Sequence, residues 1–186
     1  MILPIYLYGH SVLRRQSEEI VENYPDLKQL EADMYETMYH SEGVGLAAPQ
    51  IGKSIRLIVI DGDVLSDNFP ECKGLKLTLV NPELEVIEDE EPIIREEGCL
   101  SLPGLSEKVK RFEHINLKWL DTDFKFHERE FQGFASRIIQ HEIDHLEGEV
   151  YTDHISPIRK QLIKSKLSNI SKGKVDCNYK IKKASK

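Results

Sequence analysis

Gln140-His141-Glu142-Ile143-Asp144-His145-Leu146-Glu147-Gly148 is the stretch from which the rest of the chain is best read. It contains His-Glu-x-x-His, and Gly148 stands where a glycine does just past a helix end. A helix opened at Gly133 would carry it. Residues four apart lie on one helix face, one turn above the other. His141 and His145 can therefore aim both imidazoles at one point, a spacing that suits one tetrahedral metal ion. Glu142 then projects beside the metal, where a carboxylate can take a proton from water held there. Ile138 and Ile139, just upstream, give the site a dry wall against which charges act strongly. The competing reading is a solvated helix face, since His and Glu both tolerate the surface and short motifs match by chance.

Bulk properties narrow the class. The 186 residues suit one domain, 1–186, with a sizeable core. A hydrophobic content of 40% beside 31% charged residues describes an ordinary globular protein rather than a disordered or membrane-spanning one. No apolar run is long enough to cross a bilayer, and Met1-Ile2-Leu3-Pro4-Ile5-Tyr6 lacks the basic and apolar regions of a signal peptide. The expected location is the cytoplasm, with no membrane contact and no DNA-binding role. Cys72, Cys99 and Cys177 are odd in number and widely spaced, which is no disulfide framework and leaves a thiolate free to bind metal.

The net charge of −7 conceals an asymmetry. Arg159 to Lys186 holds ten Lys or Arg against one acid, Asp176, so the remainder carries fifteen bases against 31 acids, a balance of −16. A basic terminal segment from about residue 156 on an acidic body suits contact with a polyanion, but charge alone favours a solubilising, frayed end.

Along the chain, Ser11 to Glu19 reads as a short helix. A firmer one begins near Pro25, keeps Leu27, Leu30, Met34 and Met38 on one face, and stops by Gly43. Gly43-Val44-Gly45-Leu46-Ala47-Ala48-Pro49-Gln50-Ile51-Gly52 is too small and glycine-rich for a packed helix. Taken alone it is a connecting loop, or a place where another chain approaches the backbone closely. Ser54 to Asp61 reads as a buried strand, Gly62 to Lys73 as a polar loop with Cys72 as a bystander. Leu75–Asn81 and Leu84–Ile87 read as two strands broken at Asn81-Pro82, and Glu88 to Glu91 as a solvated acidic turn. Glu97-Gly98-Cys99-Leu100-Ser101-Leu102-Pro103-Gly104 places Cys99 in an extended, loop-like context, unlike a core cysteine. Lys108–Asp121 and Phe124–Phe131 read as a strand pair joined near Asp121-Thr122-Asp123. Ser156-Pro157 caps a terminal helix made amphipathic by Ile158, Leu162, Ile163, Leu167 and Ile170.

A catalytic metal of this kind needs three protein ligands and an open position. The metzincin extension would put a third histidine where Tyr151 stands. The other large class takes a downstream Glu, and none remains after Glu149. Downstream, only Asp153 or His154 used irregularly would serve. Upstream, Cys99 is the natural candidate, as a thiolate binds such metals tightly. A closed structural site would need a fourth ligand, and His10, His40, His114, His127 and His154 show no ligand spacing.

Three stretches in order, Gly43-Val44-Gly45-Leu46-Ala47-Ala48-Pro49-Gln50, Glu97-Gly98-Cys99-Leu100-Ser101 and Gln140-His141-Glu142-Ile143-Asp144-His145, resemble the three signature motifs of the peptide deformylases at every defining position. The resemblance spans Gly43 to Gly148. It implies an α+β fold, antiparallel β-sheets packed around a central metal-binding helix with an N-terminal and a C-terminal helix. It implies hydrolysis of the formyl group from the N-terminal formyl-methionine of new polypeptides, with release of formate. An endopeptidase of the His-Glu-x-x-His type is the enzyme alternative, against which Tyr151 and the placement of Cys99 both argue.

By position, the resemblance makes Cys99, His141 and His145 the ligands of one divalent ion. That ion is ferrous iron in this family, with zinc, nickel or cobalt also able to occupy the site. Glu142 becomes the general base and then acid. Gln50 and the Leu100 N–H become the donors to the developing oxyanion, one such donor being worth about 3 kcal/mol of barrier. Gly43, Val44, Gly45 and Gly98 would border the substrate backbone, paired as an added strand. Val44, Phe134 and Ile138 would wall the methionine pocket, with the stem of Arg137 at its mouth. A tight oxyanion slot would favour formyl over acetyl. An enzyme that meets its substrate at the ribosome also gives the basic terminal segment a partner, through Lys160, Lys164, Lys166, Lys172 and Lys174.

Overall fold

A computed structural model of the chain describes residues 1–87 and 91–184. Its strands are β1 (Ile5–Tyr6), β2 (Gly45–Ala47), β3 (Leu57–Asp61), β4 (Lys76–Val86), β5 (Ile93–Gly98), β6 (Ser106–Arg111), β7 (His114–Leu120), β8 (Phe126–Gln132) and β9 (Ile181–Lys182). The helices are α1 (Leu27–His40), α2 (Gly133–Leu146) and α3 (Pro157–Ser171). β2-β3-β4-β7-β8 form a five-stranded antiparallel sheet, β5-β6 a separate hairpin, and β1-β9 a short parallel pair. This is the α+β arrangement expected, with α2 at its centre.

The layering arises from residue period. On β3, Ile58 and Ile60 point to one side and Leu57 and Val59 to the other, because successive strand side chains alternate. All four are fully buried. Ile58 and Ile60 pack with Ala135, Ile138, Ile139 and Leu146 of α2. Leu57 and Val59 pack with Leu27, Leu30, Met34 and Met38 of α1. The sheet is thus covered on both faces, which is why β3 reads as an unbroken apolar run. A third cluster joins the β5-β6 hairpin to the C-terminal part through Leu102, Val109, Tyr151, Ile163 and Ile170. Each such fully buried aliphatic side chain contributes about 1.5–3 kcal/mol.

Several sequence expectations change. The segment after Ser11 is one 3-10 turn, Ser11–Arg14. Residues 76–86 are one strand, not two: a bulge between Val80 and Glu83 absorbs the proline, with Asn81 at φ 50° and its N–H on the Arg56 carbonyl. Lys108–Asp121 divides between β6 and β7, which lie in different sheets, so the strand pair around Asp121 is β7-β8. Cys72 is not a loop bystander but fully buried in the α2 cluster, where burial pushes its thiol up to about 11. On α3 only Ile163 and Ile170 are buried; Ile158 and Leu162 are exposed, so its apolar stripe is narrower than its sequence suggests. The acidic run expected at Glu88–Glu91 falls, apart from Glu91, outside the described residues. Among the described residues no helix is long and apolar enough to cross a membrane.

The end of α2 bears directly on the site, because it holds His145. Gly148 sits at φ 76°, and a Cβ there would meet the Arg14 backbone carbonyl carbon at 2.8 Å. Neither the left-handed conformation nor the backbone neighbour can relax cheaply. Gly148→Ala is expected to cost about 1–3 kcal/mol, read as a lowered urea midpoint at unchanged slope; an unchanged midpoint would show that the turn can shift.

Candidate active site

α2 presents His141 and His145 on one face, as four-residue spacing requires, with ring centroids 5.2 Å apart and planes at 82°. Cys99 comes directly after the last residue of β5, and its Sγ lies 3.3 Å from His145 Nε2. Ligand atoms of Cys99, His141 and His145 all fall within 4.8 Å of one another. Among the described residues no fourth Cys, His, Asp or Glu joins that group. Two imidazoles and a thiol at this separation, with no fourth such group beside them among the described residues, fit one tetrahedral or five-coordinate transition-metal ion.

The electrostatics agree with that use. Burial pushes the Cys99 thiol up, but His145 and His141 outweigh it and bring it down to about 5, so the sulfur is a thiolate at neutral pH. Burial opposes a charge on His141, yet Cys99 and Glu97 raise its pKa well above the ordinary value. Burial lifts the Glu142 carboxyl to about 7, against the pull of the two histidines. Glu142 Oε2 and His145 Nδ1 are buried without a hydrogen-bond partner among the described residues, a cost native proteins accept mostly where function requires it.

Behind Cys99, His141 and His145 lies a network that the sequence alone does not assign. Glu97, buried, accepts from Arg111 Nε at 2.9 Å, from Arg137 Nη1 at 2.7 Å and pairs with His141 Nδ1 at 2.9 Å. Burial works against its charge, but His141 and Arg111 hold its carboxyl well below the usual range. With Nδ1 engaged, His141 turns Nε2 toward Cys99; this is how an outer carboxylate fixes the tautomer of a ligating imidazole. Arg137, with its stem expected at the pocket mouth, does line the cleft, while its guanidinium is buried on Glu97 and on the carbonyls of Val109 and Ile93. Tyr151 stacks on His141 with centroids 5.9 Å apart. Glu97 stands two residues before Cys99 in one of the three motifs, which is a signal, but a lone Glu does not announce a buried partner.

A cleft of about 540 Å³ opens on this centre, lined among others by Gly43, Val44, Gly45, Gln50, Gly98, Leu100, Phe134 and Ile138, so each of these expected residues lies there with Cys99, His141 and Glu142. Gln50 Oε1 accepts from the Ala47 N–H at 2.8 Å, which turns Nε2 toward Cys99 Sγ (3.4 Å) and Ser101 Oγ (3.3 Å). Among the described residues β2 is an edge strand, bonded only to β3. A Cβ on Gly45 would run into the Glu142 carboxylate, so glycine is what allows strand and carboxylate to coexist. Phe134 stacks on Phe69 at 4.1 Å, and Glu71 accepts from the Phe134 N–H at the start of α2. The polar segment that reads as a plain loop therefore supports the cleft wall. Of the remaining histidines, His154 pairs with Asp144 at 2.8 Å and is grouped with Glu149, away from the Cys99 centre.

A family model described as polypeptide deformylase matches residues 2–161. The chain belongs to the peptide deformylase family. The peptide deformylase of Cytophaga hutchinsonii is 44% identical over 183 residues, which cover 98% of this chain and 97% of that protein. The crystal structure of a peptide deformylase from Legionella pneumophila superposes with TM-score 0.79 at 36% identity, over 94% of this chain and 98% of that one. A Met-Ala-Ser-bound class I type b peptide deformylase from Acinetobacter baumannii gives TM-score 0.74 at 33% identity, over 83% and 99%. The chain is accordingly a metal-dependent deformylase, removing the N-formyl group from newly made polypeptides with one catalytic metal; the endopeptidase alternative is not favoured.

Glu97→Gln should show what the network behind the deformylase centre does. It removes the charge that two buried guanidinium groups share, leaving Arg111 with Asp144 and Arg137 with only backbone carbonyls, and breaking such a buried pair costs about 3–5 kcal/mol. We expect a loss of that size in urea unfolding together with weaker metal retention against a chelator. A variant that keeps full stability and metal would show that the arginines find other partners.

Proposed function

We propose that Cys99, His141 and His145 hold the catalytic ion, that Glu142 carries the proton, and that Gln50 and Leu100 receive the charge that develops on the formyl oxygen. The observation that carries this reading is the convergence of one sulfur and two ring nitrogens within 4.8 Å, beside a carboxyl that burial has brought to about 7. When bound, the divalent ion supplies Lewis acidity, polarising a carbonyl and making water acidic near neutral pH. Ferrous iron is our assignment; the thiolate-imidazole set also suits zinc, nickel or cobalt, and metal analysis of anaerobically purified protein decides among them.

The chain's own residues then divide the work. A carboxyl that ionises near neutral can both accept a proton and return it. Glu142 takes one from the attacking water and gives it to the amine nitrogen as the C–N bond breaks, leaving formate and a free N-terminus. Gln50 Nε2, held by its own Oε1 contact, donates to the oxyanion with the Leu100 N–H; preorganised donors of this kind need no rearrangement at the moment of reaction. Gly43 and Val44, leading into β2, and Gly45 on its free edge line the cleft together with Gly98, which supports pairing with an extended peptide backbone. Backbone pairing ignores side-chain identity, as an enzyme for many nascent chains needs. Val44, Phe134 and Ile138 form the apolar wall for methionine. The Met-Ala-Ser peptide bound by the Acinetobacter relative is the kind of product this cleft would release.

We further read residues 1–186 as one catalytic domain working in the cytoplasm, with the basic segment from about 156 as its contact to the ribosome. Lys160, Lys164 and Lys166 are exposed on α3 beside Ile158 and Leu162. Phosphate contacts made by such lysines are salt-sensitive. Deleting the whole segment would remove Ile163 and Ile170 from the third cluster, so charge reversal is the cleaner probe.

Glu142→Gln is expected to lower formate release from a formyl-methionyl peptide by about 10²–10⁴-fold while one metal per chain is retained; a loss under tenfold would remove Glu142 from proton transfer. Reversing Lys160, Lys164 and Lys166 to Glu is expected to weaken ribosome cosedimentation and flatten its dependence on salt, by about 0.7–0.9 in log–log slope per lost phosphate contact. Unchanged affinity at low salt would end the ribosome assignment.

A further inference from the structure

After α3 the backbone reverses at Gly173 (φ 71°), and β9 returns to pair with β1, Ile181 opposite Ile5. Between these points Asp176, Cys177, Asn178 and Tyr179 run as a strap along the cleft and line the same cavity as Cys99, His141 and Glu142. The strap is fixed midway as well as at its ends. Tyr179 Oη donates to the Leu100 carbonyl at 2.8 Å, and its ring joins the cluster that includes Leu100. Leu100 adjoins Cys99, so the strap is held in register with the reacting centre. It lies beyond residues 2–161, the part that the family model matches.

The side chains available to a peptide here are unlike those deeper in. Val44, Phe134 and Ile138 are assigned to methionine, which leaves the polar strap for the peptide residues after it. Among the described residues lining the cleft there is no lysine, and the one arginine, Arg137, is committed to Glu97. Asp176 is exposed at the strap, with Glu42 and Glu96 exposed elsewhere on the lining. Lys174 and Lys180 are exposed on either side of the strap but do not line the cleft, so the exposed charges a bound peptide meets on the lining are carboxylates.

Building on the deformylase reading, we propose that residues 176–179 form a wall of the substrate cleft that contacts the peptide beyond its formyl-methionine, with Asp176 favouring a lysine or arginine there. Tyr179 is the positioning residue that keeps this wall against the Leu100 turn.

The test compares kcat/KM for formyl-Met-Leu-Lys and formyl-Met-Leu-Glu, by formate release from the metal-loaded full chain. Wild type is expected to prefer the lysine peptide, and the preference to shrink at high salt because exposed charges are screened. Asp176→Asn should lower the ratio about 2- to 5-fold, the range for one partly screened charge pair, and Asp176→Lys should lower it further. Formate release with the same ratio in all three proteins overturns the strap's role alone. No release from either peptide by wild type overturns the deformylase reading and this proposal with it. A second measurement needs no variant: inhibition by the products Met-Leu-Lys and Met-Leu-Glu should favour the former and converge with salt, and equal inhibition at low salt overturns the proposal.

Discussion

The buried carboxylate of Glu97 is the contact on which the remaining geometry depends. It belongs to β5, while His141 and Arg137 belong to α2 and Arg111 to β6. One side chain thus ties the hairpin that leads into Cys99 to the helix that carries both histidines. Without that tie, Arg111–Asp144 and the contacts of Arg137 to the Val109 and Ile93 carbonyls would still join hairpin to helix, but no carboxylate would orient His141 toward the thiol. Apolar packing tolerates sliding; a fork of hydrogen bonds between planar groups does not. Buried ion pairs often add little net stability, because desolvation offsets the attraction. Their value here is geometric, fixing His141 and relating β5 to α2. Asp144, 2.6 Å from Arg111, brings a second carboxylate to the second guanidinium, so the cluster is charge-balanced.

A comparable tie of shape to chemistry shows at the edge strand. Gly45 and Glu142 compete for one volume, so the edge strand that lines the cleft and the helix that carries the carboxyl can approach only if the strand has no side chain at that position. The glycine-rich composition that makes residues 43–52 look like a linker in isolation is what lets them be a wall of the site. Burial against that wall also raises the Glu142 carboxyl, since the apolar surroundings that pack the helix deny it water. Fold and chemistry here impose one constraint rather than two.

What can be read from the sequence divides along physical lines. The helical spacing of His141 and His145, the apolar face of α1 and the two-sided burial of β3 are local periodicities, and local patterns survive into structure. Asn81-Pro82 and Phe112-Glu113 mislead for opposite reasons. A bulge can carry a proline through a strand, and a change of sheet leaves no mark when the apolar alternation continues across it. The partners of Glu97 lie 14, 40 and 44 residues away. No window of sequence contains them, and Arg111 and Arg137 look like surface arginines until the layers close over them.

The C-terminal part is the extreme case of such distant pairing. Its lysines suggest a frayed tail, and charge alone favours that reading. The tail is instead held by three separate contacts: Ile163 and Ile170 in a core cluster, β9 on β1, and Tyr179 on the Leu100 carbonyl. Each is weak to read in sequence, being one or two residues in a polar context, yet together they oppose the entropy that would free an isolated end. A segment so held presents its lysines outward from α3 and its polar side chains inward to the cleft. The two proposed contacts, a polyanion on one side and the emerging peptide on the other, are compatible because pinning the middle of the stretch leaves both faces fixed.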